Sequence, residues 1–365
     1  MKKVKSLGIL GGGQLAKMLC DSAKKMGYET VIFDPTVDAC GRYSANHHIK
    51  NSYGKKEALI ELIEKTDVIT YEFENVPSET IDILKKNRGN IPQGKKPLYI
   101  SQHRVREKTF VKNLGVKTAK FIKVDSEIDL KVGIKQIGLP AILKTCSGGY
   151  DGKGQWILRD EKDLQEIKLE NKEYILEQMI NFKLEVSCVV VRGIKGDIIV
   201  FPVGENIHKK GILHMTIVPA RIEKKLEKQI QELAKKIIKG LDFVGPLGIE
   251  FFIGQEDDIY FNEMAPRPHN SAHYTMDACN FSQFDMHIKS LVGEKLEEPK
   301  LLSNVVMLNI LGEDKKKLEL FKNRENEDIK IHIYGKNSWK IGRKMGHINF
   351  LGKNVNELLE KIKDF

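Results

Sequence analysis

Three glycines, Gly11-Gly12-Gly13, stand between an apolar run at 7–10 and an apolar-periodic stretch that begins at Leu15. A strand that turns through glycines into a helix opens a βαβ unit, because glycine permits the tight turn and the close approach of other groups. The pattern continues with expected strands at 4–10, 29–34 and 67–71 and helices at 15–26, 57–65 and 78–86, the last capped by Ser78 behind Pro77. Alternation of this kind builds an α/β unit around a parallel sheet. The Gly-, Pro- and Lys-rich stretch 88–97 marks its end.

Gly11–Ala16 fits G-x-G-x-x-A, and Asp34 ends the next strand, where a dinucleotide-binding acid belongs. A nicotinamide site, another phosphate seated on the helix N-terminus, and a bare turn all remain open at this point. With 365 residues, 41% hydrophobic and 30% charged, the chain has room for two or three globular domains. The lysines before residue 7 resemble the start of a signal peptide, but the apolar run is short and lacks a small-residue cleavage site. No run nears the ~18 apolar residues of a membrane span. A cytoplasmic protein without a membrane partner is expected. The five cysteines form no CxxC pair, so reduced buried thiols are expected rather than disulfides or zinc. The net charge of +10 favours anionic partners, yet much of the lysine alternates with glutamate at 223–239, as on a solvated helix face. Small phosphorylated ligands are therefore expected, and nucleic acid is not.

Beyond residue 100 the pattern changes. A helix at 104–113 is followed by strand-like pieces at 120–124, 141–144, 174–178, 185–192 and 198–203, the last two as a hairpin. A long helix at 223–240 precedes strands at 247–253 and 259–263, and a tail from 297 holds strands at 304–311, 329–334 and 345–350 and a final helix from Asn354. Antiparallel strands with interspersed helices indicate an α+β middle.

The strongest chemistry lies at 144–155. Four glycines in seven residues, with Lys144 on the preceding strand and Lys153 inside, describe a cover over a polyphosphate, although no Walker A motif occurs. Downstream, Glu250 and Glu263 each sit on an otherwise apolar strand, where an unpaired charge is costly. With Asn262 beside one, they form a hard-oxygen set suited to Mg²⁺ carrying phosphates; a structural ion pair is the alternative.

These features resemble the ATP-grasp superfamily. The segments 11–18 (GGGQLAKM), 72–77 (EFENVP), 149–155 (GYDGKGQ), 262–273 (NEMAPRPHNSAH) and 342–347 (GRKMGH) are together similar to the 5-(carboxyamino)imidazole ribonucleotide synthases of purine biosynthesis. Three positions depart from that pattern: Ala16-Lys17 replaces Gly-Arg, Ala272 replaces Gly, and His103 replaces Asp.

The resemblance implies an N-terminal parallel-sheet domain (1–100), a central ATP-grasp domain (101–296) and a small β-rich C-terminal domain (297–365). It implies an ADP-forming ligase in which bicarbonate attacks ATP to give carboxyphosphate, and aminoimidazole ribonucleotide then takes the carboxyl group. Arg104 and Lys144 would contact phosphates under a cover formed by Gly149, Tyr150, Asp151, Gly152, Lys153, Gly154 and Gln155. Glu177, Gln178, Met179 and Ile180 would form a hinge beside the adenine, its backbone reading the base edge. Glu185 would hold the ribose, with His208 nearby and Asn262 and Glu263 at the phosphates. Glu250 and Glu263 would hold Mg²⁺. Arg267, His269, Asn270, Ser271 and His273, on a loop stiffened by Pro266 and Pro268, suit bicarbonate or carboxyphosphate. Gln14, Glu74, Tyr150, Asp151, Lys336 and Arg343 would bind the aminoimidazole ribonucleotide, the last two at its 5′-phosphate, and Asp34 then keeps no cofactor role. Neither a covalent nucleophile nor Cys146 as one is implied. A homodimer is expected. Another carboxylate–amine ligase of the superfamily and a basic nucleic-acid-binding protein are the competing readings.

Overall fold

A computed structural model describes residues 4–149 and 154–363. Strands β1 (Ser6–Leu10), β2 (Glu29–Phe33), β3 (His47–Ile49) and β4 (Val68–Tyr71) form a parallel sheet in the order β3-β2-β1-β4. Leu7, Ile9, Leu10, Ile32, Phe33 and Val68 are all buried, as expected for parallel strands covered on both faces. Helices α1 (Gln14–Lys25), α2 (Lys56–Lys65) and α3 (Ser78–Lys86) connect and follow them. Ser78 is the first helical residue rather than the cap; Pro77 occupies the cap position and supplies no side-chain bond. The 88–97 stretch is no free linker: the Ile69 amide donates to the Asn90 carbonyl, and buried Gln93 accepts from the Thr70 hydroxyl and the Tyr71 amide.

Helices α4 (Lys96–Ser101) and α5 (Arg104–Asn113) lead into a four-stranded antiparallel sheet of β5 (Phe121–Val124), β6 (Ala141–Thr145), β7 (Gln155–Leu158) and β8 (Tyr174–Gln178), accompanied by α6 (Glu127–Ile137) and α7 (Glu161–Glu166). His103 substitutes for the missing Asp at the α5 cap, accepting from the Arg106 amide at 3.5 Å while its other ring nitrogen meets Glu173 at 3.1 Å.

The largest sheet contains β9 (Phe182–Arg192), β10 (Ile198–Val200), β11 (Gly204–Lys209), β12 (Ile212–Val218), β13 (Gly245–Gly254), β14 (Ile259–Ala265), β15 (Asn304–Leu311), β16 (Ile329–Ile333) and β17 (Lys344–Gly352). Helix α8 (Lys224–Leu241) packs on β9 through a stripe of Leu226, Ile230, Ala234, Ile237, Ile238 and Leu241, the spacing of one helical face. The short α9 (Thr275–Ala278), α10 (Gln283–Val292), α11 (Lys315–Phe321) and α12 (Val355–Ile362) complete the fold, and Asn354 caps the last.

The C-terminal strands are not a detached layer: β15 pairs with β12, Met215 opposite Leu308, so the tail extends the central sheet. All five cysteines are buried and free. Among the described residues no helix is long and apolar enough to cross a membrane.

Candidate functional site: two adjoining cavities

The larger cavity, about 730 Å³, lies between the small antiparallel sheet and the large one. Lys144 enters from β6 and meets the Glu177 carboxylate of β8 at 2.9 Å. Lys108 of α5, fully buried, reaches the other Glu177 oxygen at 3.5 Å and donates to the Asn262 carbonyl at 3.0 Å. Burial alone would raise the Glu177 carboxyl, but Lys108 and Lys144 outweigh it and hold it at about 2. The Glu177 side chain is thus engaged by the two lysines, which leaves only its backbone for the expected hinge. Gln178 and Met179 already donate their amides to the Lys120 and Pro140 carbonyls, so these two N–H groups are not open to a base edge; Ile180 follows β8. The apolar wall of the cavity includes Ile142, Leu213 and the stacked rings of Phe182 and Phe252, 4.5 Å apart.

Gly149 and Gln155 line this cavity. Tyr150, Asp151, Gly152 and Lys153 fall outside the described residues. Gly154 adopts φ +70°, and a Cβ there would lie 2.7 Å from the Thr145 hydroxyl, so the return from the glycine loop requires glycine.

Glu250 and Glu263 stand directly opposite each other across β13 and β14. Burial and then Glu263 push the Glu250 carboxyl well above its usual range. Burial acts against the Glu263 charge as well, but Arg104, whose guanidinium lies 3.2 Å away, together with Lys144 more than compensates and lowers it. Glu185 and His208 meet at 3.0 Å, and with Glu250 they place one ligand atom each within 4.8 Å of one another. His208 lies on strand β11. Opposed carboxylates on a rigid ladder, Glu250 buried and Glu263 open to the cavity, fit a hard divalent cation better than an empty site.

The loop after β14 brings Arg267, His269 and Asn270 to the cavity wall. Arg267 grips Glu74 with two guanidinium nitrogens, Nη2 to Oε1 at 3.0 Å and Nε to Oε2. Burial would raise Glu74, but Arg267 holds it at about 2. His269 Nδ1 lies 2.7 Å from the Ser271 hydroxyl and Nε2 lies 3.5 Å from Glu250. Burial, then Arg267, lowers the His269 imidazole to about 3, so the ring is neutral near pH 7. Gln283 clamps its backbone, accepting from the His269 amide at 2.8 Å and donating to its carbonyl at 2.9 Å. Gly248 makes room for the ring; a Cβ there would come within 2.6 Å of the His269 Cβ. Asn270 and Asn309 exchange reciprocal amide bonds at 2.9 and 2.8 Å.

His273 differs from its expected place. It is fully buried, packed between Phe284, Tyr334 and His347, and bonded to Gln283 at 3.0 Å, so it supports the loop from behind. Gln283 and Lys108 went unnoticed in the sequence, where a helix-borne Gln or Lys carries no local sign of burial.

The second cavity, about 580 Å³, lies between the turn at Gly12-Gly13, the segment from Asp34 to Cys40, and the tail loop carrying Lys336 and Arg343. That loop, 334–343, joins the antiparallel pair β16 and β17, so both cations reach the same cavity. The N-terminus of α1 is already filled. Glu72 accepts from the Gly13 amide at 2.7 Å and the Ala16 amide at 3.3 Å, leaving a dinucleotide diphosphate no seat there. Gly11, at φ +115°, must lack a Cβ because Glu72 would lie 2.4 Å from it. Asp34 accepts from the Tyr53 hydroxyl at 3.0 Å and the Thr36 amide at 2.8 Å. Gly13, Glu72, Phe73 and Lys336 line both cavities, which therefore adjoin.

Residues 1–102 match the ribonucleotide synthetase preATP-grasp domain, 109–284 the ATP-grasp domain, and 305–361 the phosphoribosylaminoimidazole carboxylase C-terminal domain. The N5-carboxyaminoimidazole ribonucleotide synthase of Staphylococcus aureus (strain COL) is 46% identical over 357 residues, 96% of this chain and 94% of the relative. The enzyme of the same name from Bacillus subtilis (strain 168) is 42% identical over 363 residues, covering 98% and 94%. The crystal structure of the Staphylococcus aureus N5-carboxyaminoimidazole synthetase with ADP superposes with a TM-score of 0.95 at 44% identity, covering 100% of this chain and 98% of that one. That of the Aspergillus clavatus synthase with ADP and 5-aminoimidazole ribonucleotide gives 0.91 at 26% identity, with both chains wholly covered. With its three-part order, its paired cavities and this identity along nearly its whole length, the chain belongs to the N5-carboxyaminoimidazole ribonucleotide synthase family of ATP-grasp ligases.

Proposed function

We propose that the chain carboxylates 5-aminoimidazole ribonucleotide to its N5-carboxyamino derivative in purine biosynthesis, consuming ATP and bicarbonate and releasing ADP and phosphate. The observation that carries this reading is the shared wall of the two cavities: a triphosphate beside Lys144 and a ribonucleotide beside Lys336 would meet where Gly13, Glu72 and Phe73 line both, with the Arg267–Asn270 loop on the triphosphate side. The Aspergillus clavatus relative, bound to ADP and the aminoimidazole ribonucleotide, supports it.

In the proposed reaction a bicarbonate oxygen attacks the γ-phosphorus, and the P–O electrons leave with ADP. The exocyclic amine then attacks the carboxyl carbon of carboxyphosphate; phosphate departs with the C–O electrons and takes the proton that the amine gives up. Arg104 and Lys144 hold the phosphates, and the loop from Gly149 to Gln155 keeps water from the short-lived intermediate. Glu185 and His208 hold the ribose, and Ile142, Phe182 and Phe252 flank the adenine. Arg267, His269 and Asn270 hold the carboxyl group. Gln14 and Glu74 position the aminoimidazole, with Tyr150 and Asp151 from the glycine loop. Glu250 and Glu263, with Asn262, would hold Mg²⁺, which supplies charge neutralisation during phosphoryl transfer.

The working units in this reading are residues 1–100, 101–296 and 297–365, assembled as a homodimer. The test is ADP release measured with and without aminoimidazole ribonucleotide and bicarbonate. Turnover that needs all three substrates is expected; turnover that responds equally to a different amine would replace this reading with another carboxylate–amine ligase.

A further inference from the structure

Behind His269 lies a row of buried polar side chains without charge. The ring nitrogen Nδ1 lies 2.7 Å from Ser271 Oγ, which lies 2.7 Å from Ser187 Oγ on β9; Ser187 lies 3.3 Å from Asn206 Oδ1 on β11, which also accepts from Thr216 at 3.1 Å. Ser187, Ser271, Asn206 and Thr216 are all buried. Ser187 is also the cross-strand neighbour of Glu250, so the row starts beside the paired acids and ends at the ring.

We propose that Ser271 and Ser187 are positioning residues that keep the His269 proton on Nδ1 and present an open Nε2 lone pair as acceptor for the O–H that bicarbonate carries on the carboxyl group being transferred. This rests on the proposed placement of His269 at that group. Proton bookkeeping gives the direction. An amide oxygen only accepts, so Asn206 Oδ1 takes the Ser187 proton. Ser187 Oγ then accepts from Ser271, and Ser271 Oγ accepts from His269 Nδ1–H. Every hydroxyl in the row donates once. Nε2 lies 3.5 Å from Glu250, too long for a strong hydrogen bond, and with the proton on Nδ1 it keeps its lone pair. The Gln283 clamp on the backbone and the contact with Gly248 leave the ring no second place to turn. Such tautomer control by a neighbour on the far nitrogen is how an imidazole is committed to one task.

The test uses full-length protein labelled with ¹⁵N-histidine, without added metal, with the His269 signals assigned by their loss in His269→Gln. Wild type is expected to show the Nδ1–H tautomer, and Ser271→Ala a mixture of both. Ser271→Ala should lower kcat by roughly 10-fold while KM for ATP stays within about twofold, because the loss falls on a transition-state contact. Ser187→Ala should act in the same direction, and the double variant should lose little more than Ser271→Ala, since one chain is broken only once. An Nε2–H tautomer in wild type would overturn the proposal, since the row would then run in reverse with the Asn206 amide turned over. So would a Ser271→Ala protein whose nitrogen shifts are unmoved, whether its activity is retained or falls together with its melting temperature. If wild type showed no turnover dependent on aminoimidazole ribonucleotide, the functional reading would fail on its own, and the nitrogen shifts would still decide the direction of the row.

Discussion

The ammonium of Lys336 lies 2.6 Å from Gln14 Oε1, joining the C-terminal tail to the first turn of α1 across 322 positions of sequence. It also donates to the Lys344 carbonyl at 2.6 Å, which fixes it over the smaller cavity. Burial, followed by the positive charges of Arg343 and Lys344, lowers this lysine to about 8. A lysine with a lowered value is charged below it and neutral above it. If Lys336 holds the ribonucleotide phosphate, kcat/KM for aminoimidazole ribonucleotide falls as pH rises through about 8, while kcat/KM for ATP does not follow. Lys336→Arg should remove that fall, because guanidinium stays charged throughout. A pH profile shared by both substrates would count against the assignment.

Arg343 donates to the Ser338 carbonyl at 3.0 Å and to its hydroxyl at 2.6 Å, so its loop is tied down and its charge faces the cavity shared with Lys336. Arg343→Ala is expected to raise KM for aminoimidazole ribonucleotide by roughly 10-fold, or about 1.4 kcal/mol of lost binding, with KM for ATP nearly constant. Equal losses for both substrates would show that the tail does not discriminate between them.

Glu250 and Glu263 behave differently although they face each other. Glu263 has Arg104; Glu250 is raised by burial and by the like charges of Glu263 and Glu185, which the positive charge of Lys344 does not offset. A raised carboxyl contributes its stability below the unfolded value of 4.5 and loses it as pH rises toward the folded value. Glu250→Gln should therefore leave the ligand-free protein at least as heat-stable as wild type at pH 8, with the two converging at low pH. The same variant should lower kcat by at least ~10²-fold, comparable to removing one preorganised electrostatic contact. Retained activity with a destabilised ligand-free protein would make Glu250 a structural acid.

Much of this was legible in the sequence, for physical reasons. The run 7–10 is continuously apolar because its strand is covered on both faces, and the α8 stripe repeats at the helical period because only one face is buried. Glu250 and Glu263 stood out because a carboxylate interrupts each apolar strand. What stayed hidden depends on partners far along the chain. Lys108 reads as an exposed helix charge, yet it is buried by its contact with Glu177, and no local pattern encodes that pairing. Strands β11 and β12 were missed because Glu205, Asn206 and Thr216 point inward, bonded to Arg221, Ser187 and each other, which breaks the apolar alternation of a strand. The α1 N-terminus looked like a phosphate seat because nothing nearby in sequence announces that Glu72 fills it.

The most direct measurement follows oxygen from bicarbonate. With ¹⁸O-labelled bicarbonate, Mg²⁺, ATP and aminoimidazole ribonucleotide, attack of bicarbonate on the γ-phosphorus carries one labelled oxygen into each phosphate released. Mass spectrometry of that phosphate should show about one ¹⁸O per turnover, in step with ADP formation. Phosphate without label, formed while ADP accumulates, would mean that water rather than bicarbonate takes the phosphoryl group, and carboxyphosphate would not be the intermediate.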